Sequence, residues 1–206
     1  NAVRFENGQR HAISSLLKTA EANDQIIISD LDEIPNLDNV NFNNIKSKII
    51  LFRQKMFYYK FNLILENMVW CGSKSCKMKN FLSPQWLREI KDKKYPLWRI
   101  DTIFSNKKYN NVYFVENGGW HFTNIKTPEE IDKKLRSYMH HPEYDQSNIG
   151  PKEIDRMIKE RKPVYDLMAN SSEVKDRSNT KLKVVNINEL PIFIKQNREK
   201  YNDWIL

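Results

Sequence analysis

The strongest constraint on the fold is a short apolar run, Ile26 to Ile28, that ends directly in an acidic turn. It lies within the segment "DQIIISDLDEIPN" and has polar residues on both sides. Short continuous apolar runs between turns are typical of strands at the centre of a sheet. We therefore predict a buried strand whose carboxyl end carries the acidic turn. In open α/β sheets, ligands bind at that edge.

The turn holds three carboxylates, on Asp30, Asp32 and Glu33. Side chains two residues apart in extended backbone point the same way, so Asp30 and Asp32 share one side. Neighbouring negative charges repel unless a cation lies between them, so the turn is either well hydrated or built to hold a cation. Carboxylate oxygens suit Mg²⁺ or Mn²⁺, which bind through one or two carboxylates and the phosphates of a substrate. Such a metal would neutralise a diphosphate leaving group.

The rest of the chain alternates strand patterns with helix signals. Strands are predicted at "KIILFRQKMFYYKFNLIL", as one long strand or two, and at "NNVYFVE". Helices are predicted at "SPQWLREI", "TPEEIDKKLRSYM", "GPKEIDRMIKER" and, as one terminal helix, "NELPIFIKQNREKYNDWIL". This alternation predicts an α/β fold, with a mixed sheet flanked by helices. At 206 residues we expect a single domain over 1–206, with a C-terminal helical segment over about 150–206.

The formal net charge of +8 suits polyanionic partners, so a non-enzymatic basic binding module is one alternative function. The sequence carries no nucleic-acid recognition motif, and its aromatic residues lie in strand-like apolar runs, more typical of a core than of a stacking platform. We therefore expect no nucleic-acid partner. A basic face would also suit peripheral contact with an anionic membrane.

A second alternative is a phosphatase of the haloacid-dehalogenase type, which also places Asp-x-Asp after an apolar strand. That pattern continues with Thr two residues after the second Asp, where this chain has Ile34. Glycosidase chemistry is disfavoured, because its two carboxyl groups must flank the scissile bond and adjacent turn carboxylates cannot do so. A metal site for a diphosphate and a phosphatase therefore remain alternative interpretations of the turn, and Ile34 counts against the second.

Four segments in the same order resemble glycosyltransferase family 17, the family of a β-1,4-N-acetylglucosaminyltransferase. These segments are "ENGQRHAI", "DQIIISDLDEIPN", "GGWHF" and "EEIDKKLRSYMHHPEYD". The combination of "DEIP" with the distant "GWH" is more specific than either motif alone. The closing "LPIFIKQNREKYNDWIL" is also similar to the C-terminal end of that family. The resemblance extends over most of the chain.

The resemblance implies a GT-A-type fold, UDP-N-acetylglucosamine as donor, and inversion at the anomeric carbon. It assigns Asp30 and Asp32 to a divalent metal, Mn²⁺ or Mg²⁺, on the donor diphosphate, with Glu33 completing the donor-binding turn. An inverting transfer needs a base that takes the proton of the acceptor hydroxyl. Our candidate is Glu116, just before "GGWHF", and Asp101 is the reserve.

Four further residues are candidate donor contacts, each with a structural alternative. His121 would contact donor or metal, or be a hydrogen-bonded core residue; Trp120 would stack on a sugar or fill the core. Gln9 and Arg10 match the "QR" of the family, and Arg10 would bind a donor phosphate or pair with Glu6.

Family members carry a stretch before the "QR" segment that includes the first strand of the nucleotide-binding half. We therefore expect N-terminal strands that this chain does not contain. The expected acceptor is an oligosaccharide or a lipid-linked glycan. Animal relatives work in the Golgi lumen and bacterial ones would face the cytosol. The low cysteine count and Asn- and Lys-rich composition favour a cytoplasmic protein, and the basic charge would suit association with a membrane.

Overall fold

In the computed structural model, which describes residues 8, 12–38, 40–137, 149–164 and 181–206, the apolar run forms strand β1 (Gln25–Ile28). Ile26 and Ile28 are buried, whereas Ile27 is half-buried. The predicted strand is confirmed, and within the described residues it lies at the edge of its sheet rather than at the centre. One face of β1 packs into the core, which accounts for Ile26 and Ile28.

Within the described residues, the first sheet contains four strands in the order β1-β6-β3-β7. The other three strands are β3 (Ile49–Phe52), β6 (Lys74–Lys77) and β7 (Val112–Val115). Strand β6 is antiparallel to both β1 and β3, and β3 is parallel to β7. Hence β1, β3 and β7 all point the same way, and their carboxyl ends meet at one edge. The acidic turn lies at this edge, as predicted.

The second sheet contains five strands in the order β2-β8-β4-β5-β9. They are β2 (Glu33–Pro35), β4 (Gln54–Tyr58), β5 (Leu63–Trp70), β8 (Gly119–Thr123) and β9 (Lys183–Val184). The long apolar stretch predicted as one strand or two forms three, β3, β4 and β5. Two sheets flanked by helices confirm the mixed α/β fold class.

Four α-helices occur in the described ranges: α1 (Pro84–Glu89), α2 (Pro128–Ser137), α3 (Pro151–Glu160) and α4 (Ile192–Gln196). The predicted starts of α1, α2 and α3 are confirmed. Ser83 accepts a hydrogen bond from the Trp86 N–H at the start of α1, and Thr127 and Glu130 exchange the two bonds of a capping box before α2. The predicted single terminal helix is wrong. Its place is taken by 3₁₀ turns at Ile187–Glu189 and Arg198–Trp204, on either side of α4.

The chain forms two compact units, one of residues 1–55 and 69–121 and the other of residues 56–68 and 122–206. The core of the first unit is built on Ile26, Ile28, Ile49, Leu51, Cys76, Trp86, Leu87, Ile90 and Val112. The second contains an aromatic cluster in which the Phe61 ring lies 5.1 Å from Phe122 and 5.4 Å from Tyr201. Within the described ranges, no helix has the length and apolarity needed to cross a membrane.

Gly119 is required where β8 pairs with β2. Its φ of +133° is rarely adopted by other residues, and a Cβ there would lie 2.0 Å from the Ile34 carbonyl oxygen. We expect Gly119→Ala to lower the free energy of unfolding by more than about 2 kcal/mol. Gly150→Ala is the control: a Cβ there meets nothing within 4 Å, so it should change the free energy of unfolding by no more than about 1 kcal/mol, the cost of Ala in place of Gly at the N-cap of α3. Urea denaturation measures both; equal effects would show that the pairing of β2 with β8 tolerates a side chain.

Candidate functional site

Two reciprocal hydrogen bonds close the acidic turn after β1. The Glu33 N–H donates to the Asp30 carbonyl oxygen at 3.0 Å, and the Asp30 N–H donates to Glu33 Oε2 at 2.9 Å. The turn then passes directly into β2, which pairs with β8. Backbone and side chain therefore both fix the path of the turn from Asp30 to Glu33.

The cation that the acidic turn requires is supplied in part by Arg88, at the end of α1. Its guanidinium donates to Asp30 Oδ2 and to both carboxylate oxygens of Glu33, at 2.9 and 3.2 Å. It also donates to the Gly72 carbonyl oxygen. The Arg88 side chain is only 12% exposed. Electrostatic repulsion within the turn is therefore relieved by a protein side chain at two of its three carboxylates.

Glu33 is the buried member of the turn, with 1% of its side chain exposed. Besides Arg88, its carboxylate accepts a 2.7 Å hydrogen bond from the Trp70 indole N–H. A Cβ at Gly72 would lie 1.9 Å from Glu33 Oε1, so this carboxylate occupies the space of a missing side chain. By contrast, the side chains of Asp30 and Asp32 are 39% and 37% exposed. Of the three carboxylates, these two are accessible to a ligand.

The structure brings His121 to the acidic turn. His121 lies opposite Glu33 in the pairing of β8 with β2, and its imidazole stacks on the Trp70 indole, with centroids 4.8 Å apart and planes at 18°. Its Nε2 lies 3.4 Å from Asp32 Oδ2. His121 is thus both a buried residue and a neighbour of an exposed metal-ligand candidate. Trp120, the preceding residue in the strand, is half-buried and lies on the opposite face of β8.

Glu116 follows β7 at the same sheet edge as the acidic turn. Arg53, at the end of β3, pairs with it at 2.7 Å and also lies over the Phe114 ring at 4.1 Å. The Glu116 side chain is 64% exposed. Three strand spacings separate β1 from β7, which places Glu116 about 14 Å along the sheet from the acidic turn. The Glu116 carboxylate is therefore accessible to solvent.

Asp101 lies apart from these groups, in the 3₁₀ turn Ile100–Thr102. Arg99 donates to both of its oxygens, at 2.6 and 2.7 Å, and Lys108 donates at 2.8 Å. The hydrogen bonds from these two cations hold the pKa of Asp101 well below its usual range. A carboxylate with a depressed pKa is a weak base, so Glu116 is the stronger of the two candidates.

The residues at the turn fit a metal ion whose coordination would be completed by a substrate. Among the described residues, no group of three or more His, Cys, Asp and Glu side chains is arranged to hold a metal ion. Two accessible carboxylates are nevertheless a sufficient protein contribution for Mg²⁺ or Mn²⁺ when substrate phosphates and water supply the other ligands. Asp30 and Asp32 match that requirement, whereas Glu33 is already occupied inside the protein.

Sequence reasoning missed Arg88, Trp70, Gly72 and Lys74. Lys74 is buried in β6, and its ammonium donates to the Arg88 carbonyl oxygen at 2.6 Å and to that of Ile90. It thereby caps the helix that carries Arg88. Burial lowers the pKa of Lys74. The need of the turn for a cation was the available signal, but no local pattern identified which residue would meet it.

We expect Arg88→Met to lower the free energy of unfolding by about 3–5 kcal/mol, because it leaves the buried Glu33 carboxylate without its charge partner. Lys107→Met is the control; its ion pair with Glu89 is substantially exposed and should contribute less than about 1 kcal/mol. Adding Glu33→Gln to Arg88→Met should recover part of the loss. Chemical denaturation of the four proteins tests this. A cost for Arg88→Met no larger than that of the control would show that the pair is not structural.

The comparison with protein families gives one result that covers the whole chain. The model described as "Glycosyltransferase family 17" matches residues 1–206. No curated protein and no solved structure matches the chain in the corresponding searches.

Gln9 and Arg10, the two donor contacts expected from the "QR" motif, lie outside the described residues.

Proposed function

The chain belongs to glycosyltransferase family 17, and we propose that it transfers N-acetylglucosamine from UDP-N-acetylglucosamine to a glycan acceptor, with inversion and with the help of Mn²⁺ or Mg²⁺. The family supports glycosyl transfer over the phosphatase and the basic binding module. The acceptor class we propose is an oligosaccharide or a lipid-linked glycan. A GT-A-type nucleotide-sugar fold is part of the same proposal.

The observation that carries the proposal is the division of the acidic turn into one buried and two accessible carboxylates. Glu33 is held by Arg88 and Trp70, while Asp30 and Asp32 stay open to solvent at the carboxyl edge of the first sheet. A hydrated surface turn would not need a buried ion pair beneath it. A donor site does, because binding groups must be held in place by packed neighbours.

In this proposal Asp30 and Asp32 would hold the metal, which when bound would supply positive charge for the diphosphate leaving group. Arg88 keeps Asp30 oriented through its charge-assisted hydrogen bond. His121 lies beside Asp32 and is itself fixed by stacking on Trp70. Glu33, predicted as a donor contact, would then act through the shape of the turn.

The chemical step we propose is a single displacement. The acceptor hydroxyl oxygen forms a bond to the anomeric carbon as the bond from that carbon to the diphosphate oxygen breaks, which inverts the configuration. The proton of the hydroxyl passes to the Glu116 carboxylate. Arg53 orients this carboxylate from one side without burying it. Asp101, with its depressed pKa, is a poorer acceptor for that proton.

Asp32→Asn should weaken Mn²⁺-dependent binding of UDP-N-acetylglucosamine by at least about tenfold, since even indirect partners of a metal cost that much when lost. Asp203→Asn removes the same charge from an exposed carboxylate in the second unit and should leave the affinity unchanged. Titration calorimetry with and without a chelator measures both. Equal donor affinity in the presence of the chelator would refute the metal; failure to bind this donor while binding another nucleotide-sugar would refute the donor.

Glu116→Gln should lower the turnover of glycosyl transfer by about 100-fold or more while leaving the affinity for the donor unchanged, because a general base contributes at least that factor. Asp101→Asn should lower turnover much less. Release of UDP in the presence of a glycan acceptor measures turnover. The assignment of the base fails if Asp101→Asn causes the larger loss.

A further inference from the structure

The segment between α1 and β7 exposes a cluster of large apolar side chains. We call residues 97–104 the apolar loop. Its apolar members each expose between 68% and 89% of their surface to solvent; they are Leu97, Trp98, Ile100, Ile103 and Phe104. Single exposed apolar residues are ordinary, but five within eight positions mark a surface that binds something.

The apolar loop is exposed although the segments on both sides of it are anchored to each other and to α1. Before the loop, the Lys91 N–H donates to the Lys107 carbonyl oxygen at 2.8 Å, which joins the two flanks of the segment. The Trp86 indole N–H of α1 donates to the Asn106 carbonyl oxygen at 2.6 Å. Glu89 of α1 pairs with Lys107. The loop is thus presented on a base that is tied to α1.

Positive charge is concentrated around the same loop. Residues 91–108 contain six basic residues and two acidic ones, which leaves four of the chain's eight net positive charges in this short segment. Cations of Lys93, Arg99 and Lys108 surround the Tyr95 ring at 5.7 to 6.0 Å from its centroid. The apolar side chains therefore emerge from a basic rim, which we define as Lys91, Lys93, Lys94, Arg99, Lys107 and Lys108.

We propose that the apolar loop inserts into the interface of an anionic membrane, with the basic rim on the lipid phosphates. Leucine, isoleucine and phenylalanine have no group that could hydrogen-bond a glycan, and tryptophan favours the boundary between headgroups and acyl chains. Lysine and arginine near that boundary extend their charge to the headgroups. Anionic lipid is the occupant that satisfies both halves of the surface.

The charge disfavours a second copy of the chain as the occupant. Pairing two apolar loops would bring two basic rims together, and like charges at an interface disfavour binding. Nucleic acid would satisfy the cations but would leave the aliphatic side chains exposed. The proposal concerns location rather than glycosyl transfer, so it stands or falls independently of donor and acceptor.

The test is sedimentation of the protein with two kinds of vesicle, phosphatidylcholine alone and an equimolar mixture with phosphatidylglycerol. We expect binding to the mixed vesicles, weakened by high salt because the electrostatic part is screened. Leu97→Ser with Phe104→Ser should reduce it about tenfold or more, since two buried apolar side chains are lost from the contact. Leu82→Ser with Phe193→Ser, a pair of the same composition that is 66% and 60% exposed, should leave binding unchanged.

A second pair of variants tests the basic rim separately. Lys93→Glu with Lys94→Glu should weaken binding to the mixed vesicles about tenfold or more, whereas Lys46→Glu with Lys48→Glu makes the same charge change on exposed lysines elsewhere and should do less. The proposal is wrong if the wild-type protein binds neither kind of vesicle, or if each control pair reduces vesicle binding as much as its test pair. It is also wrong if Leu97→Ser with Phe104→Ser turns a dimer into a monomer in light scattering without affecting vesicle binding.

Discussion

The buried ion pair between Arg88 and Glu33 is the interaction on which the arrangement of the site depends. A carboxylate that is 1% exposed is tolerated only when its partner and its remaining hydrogen bonds are all supplied. Arg88 contributes the charge, the Trp70 indole contributes a further donor, and the Asp30 N–H contributes another. Gly72 leaves the space that the carboxylate occupies. The Glu33 carboxylate therefore constrains each of these residues.

This pair separates the functions of three carboxylates that are adjacent in sequence. Glu33 is committed to structure, Asp30 is shared between Arg88 and solvent, and Asp32 lies beside His121. Because Glu33 is buried, a ligand at the turn would also meet fewer negative charges. A diphosphate and its metal would then encounter a turn whose shape is already set, and preorganised groups of this kind need little rearrangement during a reaction.

Local patterns predicted what depends on local physics. The strand Gln25–Ile28, the caps at Ser83 and Thr127 and the carboxyl-edge position of the turn follow from periodicity and hydrogen bonding within a few residues. The role of Arg88 could not be predicted from local patterns, because its partner Asp30 lies 58 positions away in the sequence. The terminal helix was overestimated because its apolar spacing persists through a region where Tyr201 leaves helical geometry. The stacking of Trp70 on His121 likewise depends on tertiary packing.

Helix α1 connects the acidic turn with the apolar loop. Its last turn carries Arg88, Lys74 caps its carbonyl end, and Trp86 and Glu89 hold the base of the loop. If the loop lies in a membrane interface, α1 would hold the acidic turn at a defined distance from the lipid surface. A lipid-linked acceptor presents its sugar at a defined distance as well. Membrane contact would then help to position a lipid-linked acceptor. A soluble oligosaccharide would not need the enzyme to be held at a membrane.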